Sequence, residues 1–187
     1  MEYENLWPTI IGSGKFKIPG LVEHIFANYD LQSPPTNMSS TNYNIFNDQS
    51  TTMKQFYNLV YDKFDEYLKN TIDKKISDWK SYELKAWITG YVSNYSMPIH
   101  NHSGAHLSGV FYVLAEDQNS GGDIMFSDPR TNANRGYDQY FNTMFAGKSH
   151  RPKTGDYMIF PSFTYHHVNP YYSILRICIP VDLYLNI

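Results

Sequence analysis

The whole chain holds one cysteine, Cys178, so no internal disulfide can staple the fold, and a reducing compartment is expected. No stretch approaches the roughly 20 consecutive apolar residues that a membrane helix needs. The start MEYENLWPTI lacks a basic n-region, so export by a signal peptide is not expected and a cytoplasmic location is. Lysine and arginine nowhere form a run, and 15 of them face 18 acidic residues, for a net charge of −3. A polyanion-binding surface has no support in that balance, and nucleic acid is not an expected partner. Phosphate-cradling GxxxxGK(S/T) and GxGxxG motifs, internal repeats and low-complexity tracts are missing too. What is present suits one packed domain, 1–187, since 42 % of the residues are hydrophobic and 18 % charged. Two surpluses stand out: aromatics reach 17 %, with 17 tyrosines, and five of the seven histidines fall in two clusters, His100/His102/His106 and His166/His167.

The first fifty residues carry little periodicity. LWPTIIG reads as the start of an edge strand, because Pro8 is tolerated at a strand end but not in a central ladder. GLVEHIF makes at most two helical turns, and SPPTNMSSTNYN reads as a loop. His24, alone in that short helix, reads as a packing or surface histidine, since a ligand needs partners at short spacing. From Ser50 onward Met53, Phe56, Tyr57, Val60, Tyr61, Phe64, Tyr67 and Leu68 recur at helical intervals. That spacing predicts a helix of about six turns, capped by Ser50 or Thr51, with one apolar stripe laid across a sheet. Beyond it the period becomes two in ELKAWITGYV, LSGVFYVLA, GGDIMFSD, GDYMIFPS and YSILRICIPVDLYL. The expectation is a mainly β, α+β chain. A helical support region over about 1–80 precedes a core over about 81–187, built as an antiparallel sandwich or barrel. Residues 118–154 interrupt the strands with a polar stretch holding Tyr137, Tyr140, Phe141, Phe145, Arg130 and Arg135. A loop of that length reads as a lid over a substrate or as an ordinary surface excursion.

The segment Pro98-Ile-His-Asn-His-Ser-Gly-Ala-His106 is the most informative. On a strand, residues two apart share a face, so His100 and His102 would stand side by side, able to share an ion at roughly 2.1 Å each. A third ligand is offered downstream in FPSFTYHHVNP, at His166 or His167. Imidazole suits Fe, Zn, Cu or Ni, and a site left partly open supports chemistry rather than structure. Ten residues after His166 comes Arg176, inside the apolar run Ile174-Leu-Arg-Ile-Cys-Ile179. Alternation allows it a solvent face, but its parity neighbours Ile174 and Cys178 favour an inward cation that meets an anion. A guanidinium fork grips a carboxylate at two points.

These residues resemble the Fe(II)- and 2-oxoglutarate-dependent oxygenases of the prolyl-hydroxylase-like branch. More narrowly, HNHSGAHLSGVFYV, GGDIMFSDPR and GDYMIFPSFTYHHVNPYYSILRICIPVDL are similar, in order and register, to a subgroup of small oxygenases with phage-encoded members. LWPTII is similar to the start of that subgroup. The resemblance implies a double-stranded β-helix, the jelly-roll or cupin-like fold, with Fe(II) and 2-oxoglutarate as cofactors and O₂ as cosubstrate. It implies metal ligation by His100 and His166, and 2-oxoglutarate binding by Arg176 with the hydroxyl of Tyr112. The chain departs from the wider superfamily in having His102 where His-x-Asp or His-x-Glu would put a carboxylate. Either His102 completes a three-histidine site, the preferred set being His100, His102 and His166, or Asp128, Asp123 or His106 completes it. The prime substrate, a protein or peptide side chain or a small molecule, is not written in the sequence. Two other classes remain open: a cupin-type metal enzyme without 2-oxoglutarate, and a catalytically altered metal-binding viral accessory or structural protein, in the host cytoplasm if viral.

Overall fold

The structure, a computed structural model, describes residues 8–31, 38–41, 43–115, 120–129 and 147–186. Chain order begins β1 (Gly12–Lys15), α1 (Leu21–Asn28), β2 (Met38–Ser40), α2 (Thr51–Ile72), β3 (Ser81–Ala86), β4 (Thr89–Tyr91) and β5 (Tyr95–His100). It continues through β6 (Leu107–Leu114), β7 (Ile124–Phe126), β8 (Lys148–His150), β9 (Asp156–Pro161), β10 (His166–Tyr171) and β11 (Arg176–Asn186). Among the described residues every strand pair is antiparallel. The larger sheet runs β1-β9-β6-β11-β4-β2, with β3 also on β11, and the smaller runs β5-β10-β7-β8.

The long helix follows from its stripe. Met53, Phe56, Val60, Phe64, Tyr67 and Leu68 are its buried residues, and Ser50 Oγ accepts the Met53 backbone N–H at 3.2 Å to close the first turn. Those side chains form one core with the outer face of the larger sheet, where the Phe56 and Phe111 rings meet edge to face at 5.4 Å. A second core, including Val110, Tyr112, Phe126, Phe160, Tyr171 and Cys178, lies between the two sheets.

Several elements differ from the sequence expectations. SPPTNMSSTNYN is not wholly loop, because Met38–Ser40 are recruited as β2 onto the edge at β4; pairing, not residue pattern, makes that strand. The edge strand expected at LWPTIIG forms slightly later, as β1 on β9. ELKAWITGYV breaks at Trp87 into β3 and β4. The strands β5, β8 and β10 lack clean alternation, so no period-two segment predicts them. β5 and β10 each carry a proline, tolerated where β5 is an edge and where the β5–β10 register shifts. Within 118–154, β7 and β8 pair as Ile124↔His150; Arg130, Arg135, Tyr137, Tyr140, Phe141 and Phe145 lie outside the described residues.

Candidate functional site

Strand β11 separates two environments. Ile177, Ile179, Val181 and Leu183 join the core under α2, while Arg176 and Cys178 alternate onto the opposite face, against the smaller sheet. Between the sheets is a cavity of about 70 Å³, lined at one end by His100, His102 and His166 and elsewhere by Arg176, Tyr112 and Tyr91.

His100 ends β5 and pairs in register with His166, the first residue of β10. Their ring centroids are 4.3 Å apart. His102 is not on the strand, so strand parity does not bring it to His100. It lies beyond β5, where its backbone N–H donates to the Ser162 carbonyl at 3.1 Å, and its ring sits 5.5 Å from that of His100 and 5.2 Å from that of His166. One ligating atom from each of the three histidines lies within 4.8 Å of the others, the grouping among the described residues that can hold a metal ion.

The hydrogen bonds around these rings decide their tautomers. Nδ1 of His100 is 2.7 Å from the Pro98 carbonyl, Nδ1 of His166 is 3.0 Å from the Thr164 carbonyl, and Nδ1 of His102 is 2.7 Å from Asp182 Oδ1. Each neighbour is an oxygen acceptor, so Nδ1 is the donating nitrogen of each ring and Nε2 is the one left for a metal. Burial, with the neighbouring histidines adding to it, pushes His166 down to about 4 and lowers His100 as well. Neutral imidazoles with free Nε2 lone pairs are the donor set a divalent transition metal takes.

The other acidic and imidazole candidates stand elsewhere. Asp123 is held by Arg151, whose Nε and Nη2 donate at 2.5 and 2.8 Å, and that ion pair lowers the Asp123 pKa. Asp128 is not in the three-histidine group. His106 Nδ1 accepts the Leu185 backbone N–H at 3.2 Å. His167 pairs with Met125, one residue out of phase with His166. His24 packs against Asp48 and Ser50.

Arg176 is 1 % exposed. Cys178 is buried on the same face, as its parity with Arg176 predicts, whereas Ile174 precedes the strand and is 83 % exposed. Nη1 donates to the Gly122 carbonyl at 2.6 Å, and among the described residues Nε has no acceptor. Tyrosine rings surround the guanidinium, with centroids 4.6 Å away at Tyr91, 5.0 Å at Tyr171 and 5.8 Å at Tyr112. Such contacts contribute about 0.5–2 kcal/mol each, so the three together offset part of the several kcal/mol that burying a cation costs. Among the described residues no carboxylate pairs with it, so the pocket suits an anion from outside. Burial pushes the Tyr112 hydroxyl pKa up, Arg176 opposing, so it stays a protonated donor at neutral pH.

A family model described as "Putative 2OG-Fe(II) oxygenase" matches residues 85–182. The chain belongs to this family. Solved structures of similar fold include a prolyl-4-hydroxylase from Pseudomonas putida, at TM-score 0.64 and 11 % identity, covering 94 % of this chain and 92 % of that one. Another is the viral collagen prolyl hydroxylase of Paramecium Bursaria Chlorella virus-1 in its 2OG complex, at TM-score 0.61 and 14 % identity over 92 % and 94 % of the two chains. A third is HygX from Streptomyces hygroscopicus with nickel, 2-oxoglutarate and hygromycin B bound, at TM-score 0.63 and 11 % identity over 95 % and 82 %. At these identities the likeness concerns fold alone, the double-stranded β-helix. No curated protein matches the chain. The cofactors of the 2OG-Fe(II) oxygenase family are Fe(II) and 2-oxoglutarate, and the residues present fit both: three imidazoles for the metal, and for a carboxylate a buried guanidinium whose Nε has no partner among the described residues.

Sequence reading missed Gly122, Tyr91, Tyr171, Trp87 and Asp182 around this cavity. Asp182 alone had a signal, an anion at the parity of Arg176 in an apolar strand.

Proposed function

We propose that the protein is a 2-oxoglutarate- and Fe(II)-dependent dioxygenase that hydroxylates a C–H bond of a protein or peptide side chain. In this reading His100, His102 and His166 hold the metal through Nε2. Arg176 grips the far carboxylate of 2-oxoglutarate, and Tyr112 donates its hydroxyl to the same group. Bound together, the two cofactors couple oxidative decarboxylation of 2-oxoglutarate, to succinate and CO₂, with transfer of one oxygen atom from O₂ to the substrate. The chain's own work is positional. Carbonyl and carboxylate acceptors at Nδ1 fix the three rings, the tyrosines around Arg176 exclude water from the cation, and side chains of the second core line the cavity. The observation that carries the reading is the buried Arg176, paired with no carboxylate among the described residues, in the same cavity as the histidines. A metal enzyme without 2-oxoglutarate has no use for that cation. The peptide substrate is supported by analogy with the prolyl hydroxylases of similar fold, among them one solved with a hypoxia inducible factor peptide fragment. We place the protein in the cytoplasm on its single cysteine, and read the whole chain as one functional unit.

The test is succinate formation from 2-oxoglutarate with added Fe(II), beside 2-oxoglutarate binding measured with Ni(II) in place of iron. Arg176→Ala should weaken 2-oxoglutarate binding by at least about 30-fold while sparing metal binding, and His166→Ala should abolish both. An intact protein that neither binds 2-oxoglutarate nor forms succinate would sink the proposal.

A further inference from the structure

Three neutral imidazoles bring no negative charge to a divalent cation, yet a carboxylate stands directly behind one of them. We propose that Asp182 is a positioning residue for the metal, holding the His102 ring in its ligating orientation and lending the site the anionic charge its ligands lack. The inference rests on the three-histidine reading above.

The need is visible in the backbone. His102 follows the end of β5, so no ladder fixes its side chain, unlike those of His100 and His166. Its ring is fixed instead by Asp182 Oδ1 at 2.7 Å from Nδ1 and by the indole of Trp87, whose ring is 5.8 Å away at 30°. The carboxylate is itself immobilised. Ser108 Oγ donates to the same Oδ1 at 2.6 Å and lies 2.8 Å from Ser162 Oγ, while the Ser162 carbonyl takes the His102 backbone N–H. Asp182 is 6 % exposed, and among the described residues no lysine or arginine pairs with it. A buried carboxylate without a cation is costly, and positive charge reaching it through His102 from a bound metal removes that cost. A carboxylate accepting from Nδ1 raises the basicity of the imidazole at Nε2 and locks its tautomer. With Asp182 counted, the protein's formal charge around the metal equals that of two histidines and one carboxylate, only displaced by one side chain. The same strand therefore carries the cation for the cosubstrate, Arg176, and the anion for the metal, Asp182, on one face.

The experiment measures Ni(II) affinity by titration calorimetry for the unaltered protein, Asp182→Asn, His102→Ala and the double variant. Nickel is redox-inert here, so the readout is independent of turnover. Asp182→Asn should bind Ni(II) about 10- to 100-fold more weakly, and in the His102→Ala background it should change affinity less than about twofold, as additivity fails only for coupled residues. Equal losses in both backgrounds, or none in either, overturn the proposal and leave the ligand set standing. Undiminished Ni(II) binding by His102→Ala overturns the three-histidine reading itself, and the proposal with it. The unaltered protein loaded with Co(II) gives a check free of any folding defect. Its shifted histidine N–H resonances should exchange with solvent slowest at the buried contact of His166, more slowly at the part-buried contact of His102 than at the exposed one of His100, and a His102 N–H exchanging as fast as that of His100 overturns the proposal.

Discussion

A single carbonyl shapes the pocket around Arg176. Gly122 offers its oxygen to Nη1 from a backbone at φ 73°, and a Cβ there would overlap the guanidinium. Both features call for glycine. Gly122→Ala should cost about 1–2 kcal/mol of stability through the left-handed backbone and, by displacing Arg176, weaken 2-oxoglutarate binding about tenfold. Gly20→Ala, at φ 78° with open space around its Cβ, should show the stability loss alone. Calorimetric titration and denaturant unfolding of both variants separate strain from displacement, and equal 2-oxoglutarate affinities would refute the role given to Gly122. Residue type made Arg176 legible, because a cation in an apolar strand needs a reason. Nothing in the spelling GGD marks Gly122 as its partner, since the two are 54 positions apart.

The elements differ in how openly they are written. Helix α2 was readable because its stripe repeats for many turns and its cap sits in the right place. Strands β5 and β10, which carry two of the three histidines of the metal group, were not, because each is short, polar and interrupted by proline. Their existence depends on hydrogen bonds to each other. The start of α2 also depends on a neighbour. Burial works to raise the Asp48 carboxyl pKa, but the Ser50 backbone N–H at 2.8 Å, His24 at 2.7 Å and Tyr29 at 3.0 Å outweigh it and hold it well below the ordinary 3.8. A carboxyl whose pKa falls on folding contributes stability above its unfolded pKa, and that contribution is lost as pH drops toward the folded value. Asp48→Asn should therefore destabilise the protein by about 2 kcal/mol at pH 7, with the gap closing as pH falls below about 4. Urea unfolding at both pH values checks it, and a gap that stays constant would show that charge is not what Asp48 contributes.

For the whole molecule, metal binding should appear as folding stability, because strands and turns far apart in sequence assemble the three histidines. Ni(II) at a hundred times its dissociation constant should add about 2.7 kcal/mol, a rise of about 5–10 °C in Tm for a chain of this size. His166→Ala should show no such rise, and scanning calorimetry with and without nickel tests it. Composition, periodicity and the spacing from the histidine block to Arg176 were enough for a mainly β chain with a supporting helix and for a metal-and-carboxylate chemistry, since those are local or ordered along one dimension. The tertiary structure decided what no spacing encodes. It brought His102 to the site from outside the strand, through Asp182 on β11, 80 positions away. It also closed tyrosines from three separate strands around one guanidinium. The physical reason is that ring orientation, tautomer and burial are set by atoms in contact, and contacts between distant segments exist only once the two sheets have faced each other.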